Sequence, residues 1–523
     1  MGESGDRSVD VVQGKLLKPL VMLASPIILT QLLQVGYNLA DTFWVGRIGS
    51  DAVAALSYSF AIIFLMVSVA GGFTVAGTVL IAQNKGAGNE SQSHHVAGQT
   101  ISFVTLLSVL CAVLGYLLTP TLMQFVGANP GTDAYTYAVQ YTRIIFLGVQ
   151  FMFWFFIFDA LMRGWGDTKT PLYLMSVSVA VNLLVDPIFI LGFDDNVLFA
   201  WLTAIPGLDG LALETWLYEA TGFEGWGVAG AAFATILSRG SAAMIGMYLL
   251  FSGRTGLKPS LSDLRPKRKT VRKIVDLGLP TAGEQGFRSF GITALTAIVA
   301  IAGTDAVAAY GIVQRLASLV FLPAMGLARG TETAVGQNLG ANQIKRAKQA
   351  VGMSSAIIVG VFSLVSVVAY TYAEPITAVF ITGEGAAGVI EVSSAYLVIA
   401  APTFAFLGIF QVVLGAFRGS GSTRTAMFLS IQELWIYRIP VAYFLVVYTD
   451  LGVIGVWYAM AFSYVASAVT TGLWFLRGTW TTKWTNRQPH RAVTERKNVR
   501  GGGAAIGGQS ELPEASRPPA VAR

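Results

Sequence analysis

The chain has 523 residues, 54% of them hydrophobic and 12% charged, with a mean hydropathy of +0.61; apolar runs this numerous exclude a water-soluble protein of one or two domains. The balance of 35 Lys and Arg against 29 Asp and Glu gives a formal charge of +6, concentrated between apolar runs, so it reports topology and contact with anionic headgroups rather than nucleic-acid binding. The lone Cys111 excludes an internal disulfide, and three histidines without H-E-x-x-H, nucleophile elbow or phosphate loop leave no enzymatic machinery and predict a non-enzyme that needs no cofactor.

Residues 1–15 lack an apolar core and a cleavage site, which predicts a cytoplasmic tail and no removable signal peptide. Helices of membrane-crossing length, about 20 apolar residues each, are expected near 19–43, 53–81, 96–118, 136–161, 171–192, 227–251, 274–302, 306–334, 350–372, 387–415, 426–448 and 452–476. The first carries Thr30, Gln34, Tyr37 and Asp41 on one stripe, at steps of four, three and four. An ionised Asp inside a bilayer costs roughly 2.5–3.5 kcal/mol on insertion scales, so Asp41 calls for a proton, a cation or a basic partner. Arg47 lies off its face. Helix four holds Asp159 four residues before Arg163, the spacing of a structural pair. Helix five places Asn182 and Asp186 on one face beside Pro187, and helix six adds Thr235. Two carboxylates brought together in low dielectric oppose each other's ionisation, which makes a proton-loading site. With the amide and hydroxyl oxygens beside them they also suit Na+. Helix seven holds Glu284, Gln285 and Arg288 as a polar patch with i,i+4 Glu–Arg spacing, and Gln411, Glu433 and Arg438 follow in later helices; an ion-pair network and a role in substrate binding are both open for these.

Basic residues at Lys15 and Lys18, Lys85, Arg163 and Lys169, Arg254 to Lys273, Lys345 to Lys348, Arg418 and Arg424, and Lys483 to Arg491 alternate with basic-poor loops, which predicts that these segments and both termini are cytoplasmic. The stretch from Asp194 to Glu224 has acidic residues and no Lys or Arg, which suits the outer face, and its L-A-L-E-T-W-L-Y-E-A-T-G-F core reads as a short amphipathic surface helix. From about Thr485 the polar, Gly/Pro-rich sequence predicts a disordered tail.

The chain also repeats itself. D-A-V-A-A recurs at Asp51–Ala55 and Asp305–Ala309, Q-N-x-G-A at Gln83–Ala87 and Gln337–Ala341, and R-G-W-G-D-T-K-T (Arg163–Thr170) echoes as R-G-S-G-S-T-R-T (Arg418–Thr425). Six crossings per half insert both halves in the same direction, which predicts an all-α polytopic membrane protein of two six-helix lobes related by a parallel internal repeat and suited to alternating access. The expected order is an N-terminal tail (1–15), an N-terminal lobe (16–252), a basic linker (253–273), a C-terminal lobe (274–478) and a disordered tail (479–523). Leu295 stands where the repeat would place a second Asp41, so the coupling site is expected in the N-terminal lobe alone.

P-x-x-x-x-Q and Y-N-x-x-D-T-F-W-V in the first helix, G-x-D-A-V-A-A, Q-x-x-G-A, R-G-x-G-D-T-x-x-P, N-L-L-V-D-P and G-V-x-G-A-A-x-A-T together resemble the multidrug and toxic compound extrusion (MATE) transporters, over about Lys15 to Arg477. The resemblance implies export of cationic or amphipathic compounds in exchange for Na+ or H+. It implies that Asp41, Asn182, Asp186 and Thr235 are the cation site of the archaeal and DinF-like branch, with Pro26 the bending point of the first helix. Gln34, Tyr37, Asn38, Asp159 and Glu284 are the expected substrate contacts. The family often has Asn where this chain has Asp159, and helix ten lacks the acid of the NorM-like branch. The expected partners are small amphipathic substrates and the bilayer of the cell membrane, with the protein a monomer and no nucleic acid bound. A flippase for lipid-linked saccharides, from the same wider superfamily, is the alternative; it calls for a basic cavity lining. A membrane-embedded enzyme is a distant third.

Overall fold

The computed structural model describes residues 8–380 and 386–481, with Thr304, Asp305 and Ala386 described by backbone alone. Most of the tail predicted from 479 onward therefore lies outside the described residues. Five long helices come first: α1 (Leu17–Gly46), α2 (Ser50–Gly86), α3 (Glu90–Phe125), α4 (Asp133–Trp165) and α5 (Lys169–Leu191). Short α6 (Val197–Leu202) and α7 (Gly210–Thr221) precede α8 (Gly227–Ser252). After a 3-10 turn at Leu261–Leu264 come α9 (Arg268–Ile301), α10 (Thr304–Gly340), α11 (Ile344–Thr371), α12 (Ala373–Ala378), α13 (Ala386–Ala400), α14 (Phe404–Gly419), α15 (Thr423–Ile431), α16 (Ile439–Tyr448) and α17 (Val453–Leu476). The compact body ends at Arg477, and Gly478–Arg523 is a separate unit, described only in the turn that the Thr481 N–H closes on the Gly478 carbonyl.

Among the described residues, 10 helical stretches are long and apolar enough to cross a membrane. Two further crossings fall short of that measure for visible reasons. In α9 the apolar run is diluted by Glu284, Gln285 and Arg288, and α15 is joined to α16 through a seven-residue π-helix, Gln432–Arg438. The twelve crossings read from the sequence are all present, and the protein is a multi-pass membrane protein.

Local chemistry sets the helix ends. Asn89 accepts from the Gln92 N–H and Thr132 from the Tyr135 N–H, capping α3 and α4. Pro26 cannot donate to the Met22 carbonyl four residues back, yet α1 runs on through it. The Thr168 hydroxyl, 3.4 Å away, donates to that freed carbonyl, and Thr30 donates to the Pro26 carbonyl at 2.8 Å.

The first lobe packs α2 against α3 and α4, and α8 against α4 and α5; the second packs α10 against α11 and α14, with α17 closing on α14. The repeat is visible in the backbone. Helices α2 and α10 have 37 residues each, begin after Gly49 and Gly303 and end in the two Q-N-x-G-A motifs. The lobes meet mainly where α1 packs on α10 and where α2 meets α9 and α10. Ala24 and Ile28 lie against Gly330 and Gly326, and Ala282 against Gly72. Where α2 and α10 end, they cross without side chains between them: a β-carbon at Gly86 would overlap the Gln337 carbonyl, and one at Gly340 the Gln83 carbonyl. The buried Gln83 amide donates to Gly419 at 3.0 Å, and Gln337 donates to Gly164 at 3.1 Å. Each repeated Q-N-x-G-A thus grips the R-G-x-G turn of the other lobe.

This end also carries the N-terminal segment and the basic linker. Val9 donates to the Gly166 carbonyl of the first lobe, while Asn338 and Arg346 of the second donate to the Val11 carbonyl. The linker is docked by Gln99, whose amide donates to the Asp263 and Arg265 carbonyls and accepts from the Lys267 N–H. Burial works against ionising Asp263, but hydrogen bonds from Ser260 and His95 prevail and hold its carboxyl below the usual range. At the opposite end α7 forms as the sequence suggested, and Trp201 of α6 stacks on Phe43 and packs at a tilt against Trp44 of α1.

Candidate functional site

Helices α1, α5 and α8 bring four of the predicted residues together inside the first lobe. Asp41 is 6% exposed, Thr235 6%, and Asn182 and Asp186 are fully buried. The i,i+4 spacing in α5 lets the Asn182 amide donate to Asp186 Oδ1 at 2.7 Å. Asp41 lies close enough to Asp186 for their charges to interact, and Tyr141 of α4 adjoins both. Tyr37 stands beside Asp41 and donates to or accepts from Ser238 at 3.1 Å. Thr235 sits near Tyr37 and Tyr141 without a well-formed hydrogen bond to either.

Four buried oxygens of this cluster lack a hydrogen-bond partner: Asp41 Oδ1, Asn182 Oδ1, Asp186 Oδ2 and Thr235 Oγ1. Buried polar atoms are ordinarily satisfied, and here the orphans are all oxygens and include two carboxylates. Such a donor set fits a proton or a hard monovalent cation, which prefers oxygen ligands. Soft-metal chemistry has no footing here, since no group of three His, Cys, Asp or Glu side chains able to hold a metal exists among the described residues.

Two of the expected substrate contacts join a different cluster. Asp159 pairs with Arg163, as the sequence spacing suggested. Glu284 pairs with Arg418 and not with Arg288, the i,i+4 partner expected from sequence; α14 brings the guanidinium in from 134 residues away. Arg163, placed by the sequence both in helix four and in a cytoplasmic basic segment, and Arg418, read as a loop charge, are the last-turn arginines of α4 and α14 and point into the protein. Between the two pairs lie Arg329 and Glu332 of α10, which feel the charges of Arg163, Arg418, Asp159 and Glu284. Three carboxylates and three guanidiniums therefore balance across the lobes, next to the crossed ends of α2 and α10. In the second lobe Glu433 pairs with Arg438, which also donates to Ser463 at 3.0 Å and lies over Tyr464. Five residues apart, they share a face because the π-helix between them widens the turn.

Of the remaining expected contacts, Tyr37 is buried at the carboxylate cluster, Gln34 is half-buried and Asn38 exposed, linked by a 2.9 Å hydrogen bond from Gln34 to Asn38. Sequence reasoning passed over Tyr141, Arg239, Arg329 and Glu332. For the last three a signal was present: an ionisable residue in a membrane-length apolar helix is a candidate by default. Tyr141 had none, because its role comes from the neighbours that folding gives it.

The MatE family model matches residues 26–188 and again 280–444, once in each lobe. The probable multidrug resistance protein YoeA of Bacillus subtilis is 30% identical over 446 residues, 84% of this chain and 89% of that one. The probable multidrug resistance protein NorM of Thermotoga maritima is 27% identical over 490 residues, 92% and 95% of the two chains. More distantly, a FAD transporter of Shewanella oneidensis is 24% identical over 408 residues, 78% and 83%. Among solved structures, the outward-facing conformation of a multidrug resistance MATE family transporter of the MOP superfamily superposes with a TM-score of 0.80 at 24% identity, covering 92% of this chain and 100% of that one. With a twofold match to the family model and a 30% identical relative along most of its length, this chain belongs to the MatE family of membrane transporters.

Proposed function

We propose that the protein is a secondary antiporter that exports amphipathic, cationic compounds across the cell membrane in exchange for H+ or Na+. The orphaned oxygens of Asp41, Asn182, Asp186 and Thr235 carry this reading, because two buried carboxylates inside a bilayer are tolerable only with a counter-ion that comes and goes. Their cluster is the coupling site. The basic end, with the N-terminal segment and the linker, faces the cytoplasm. Packing of the lobes at that end supports a state closed to the cytoplasm and accessible from outside, and breaking the same contacts while the outer halves approach gives the inward-facing state. The multidrug names of several relatives support a drug-like cargo.

A lipid-linked saccharide flippase would need a basic lining for its pyrophosphate, and the coupling cluster contributes two carboxylates against the single Arg239. The deciding experiment is dye flux from proteoliposomes under an imposed Na+ or H+ gradient. A cationic planar dye should leave faster than an anionic analogue of the same size; equal rates, or faster loss of the anion, would sink the cationic reading.

A further inference from the structure

Arg239 stands near the midpoint of α8, 3% exposed, and no carboxylate pairs with it among the described residues. Its Nη2 donates to Gln34 Oε1 and its Nη1 to the Met175 sulfur at 3.0 Å. Its Cζ lies 4.5 Å from the Tyr37 ring centre and 5.2 Å from that of Phe155. Aromatic faces shelter the cation but do not neutralise it.

A guanidinium can only donate, and this removes the ambiguity of an amide. The oxygen of Gln34 must face Arg239, so its NH2 points away, where it donates to Asn38 Oδ1 at 2.9 Å. With its oxygen engaged, Asn38 has amide hydrogens left to offer. Each link is polarised by the positive charge behind it, which strengthens the next donor in the row.

The exposed arc of helix α1 is continuous, and most of it, Leu29, Leu32, Val35, Leu39 and Phe43, is apolar and suited to lipid. Asn38 lies at one edge of that arc with half-buried Gln34 beside it, and polar side chains at this depth belong against protein or a water-filled space rather than lipid. Tyr37 and Asp41 follow Gln34 and Asn38 by three residues each, so they neighbour this pair on the same helix.

We infer that Arg239 fixes the hydrogen-bond polarity of this face, making it a row of donors, so that the binding site selects compounds bearing an acceptor, a carboxylate or carbonyl oxygen, beside their apolar rings. The inference rests on the export reading and deepens it. Arg239 acts through Gln34 and Asn38 and is a positioning residue for specificity.

The test compares two dyes in the same vesicles, a zwitterionic rhodamine with a free carboxylate and the rosamine cation that lacks it, so that the ratio of their rates cancels differences in protein yield. The native protein should favour the rhodamine by about tenfold, the worth of one charge-assisted hydrogen bond. Arg239→Lys, which still donates, should keep that preference, and Arg239→Met should bring the ratio near one. Gln34→Glu is nearly isosteric and tests the idea even if Arg239→Met folds poorly. Its new carboxylate can only accept, so Asn38 must turn its amide hydrogens toward it; the Asn38 oxygen then faces the site, and the preference should vanish or invert. A native ratio near one, or a tenfold ratio unchanged in both Arg239→Met and Gln34→Glu, overturns the inference while leaving export intact. If neither dye moves under either gradient, the export reading fails instead. The same ratio is then read from quenching of tryptophan fluorescence as each dye binds the purified protein, where a tenfold preference lost in Gln34→Glu supports the inference and an unchanged one overturns it.

Discussion

Asp41 and Asp159 are both acids inside membrane helices, yet their surroundings assign them opposite tasks. Asp41 Oδ1 has no partner, so under the proposed antiport its charge is a cost that the exchanged ion offsets. Asp159 is tied to Arg163 and neighbours Arg329, so its charge is part of the structure. Asp41→Asn keeps the volume and removes the charge, as does Asp186→Asn. Either change should leave thermal stability equal or higher while abolishing gradient-driven efflux. In Asp159→Asn a buried guanidinium loses its partner, at about 3 kcal/mol or more, so the melting temperature in detergent should drop markedly. Near-normal, gradient-dependent transport by Asp41→Asn at matched expression would move the coupling site elsewhere. The four residues of the buried cluster could be picked out in the sequence because each is a polar interruption of an apolar helix. Glu284 shows the limit. Local spacing offered Arg288, but the guanidinium that reaches it belongs to Arg418, and partner choice across 134 residues leaves no trace in periodicity.

At the scale of elements, the crossings were legible because apolar runs about 20 residues long mark them in the sequence, even where polar residues dilute α9 and a π-helix joins α15 to α16. Interruptions inside crossings were not read there: the break at Ala401–Thr403 falls at Pro402, and the π-helix at Gln432–Arg438 brings Glu433 and Arg438 to one face. The crossing of α2 with α10 depends on glycine for another reason. Bulk at Gly340 has nowhere to go but into the backbone around Gln83, and the mirror relation holds for Gly86 and Gln337. Gly340→Leu should therefore wedge the two helix ends apart. With Cys111→Ser as background and spin labels at the exposed positions Ser91 and Lys345, the wedge should lengthen the measured label distance by several ångströms, roughly the depth of a leucine side chain. An unchanged distance would mean that this crossing does not hold the end closed.

For the whole molecule, the repeat makes a closure that each lobe builds with the other's parts. Gln83 of the first lobe bonds Gly419 of the second, and Gln337 of the second bonds Gly164 of the first. The N-terminal segment adds a tie, bonded to Gly166 on one side and to Asn338 and Arg346 on the other. In the proposed alternating-access cycle only the state closed at the basic end makes these bonds, so each biases the equilibrium by its own worth, about 1 kcal/mol, and more where a buried carbonyl is left bare. Gln83→Ala and Gln337→Ala should act alike, each shifting the populations about fivefold toward the state open at the basic end. The pair together should shift it about 25-fold or more, since two bonds are lost from the same closed state. A cysteine at the fully buried Ala82, which lies against Gly336 of the other lobe, reports on this directly in the Cys111→Ser background. An impermeant maleimide supplied at the basic end should react slowly with the native sequence, faster with either single alanine variant and fastest with both. Equal rates in all four proteins would show that the lobes are held closed by helix packing alone. A large effect from one glutamine and none from the other would break the symmetry that the repeated motifs imply, and would assign the closure to the lobe whose glutamine matters.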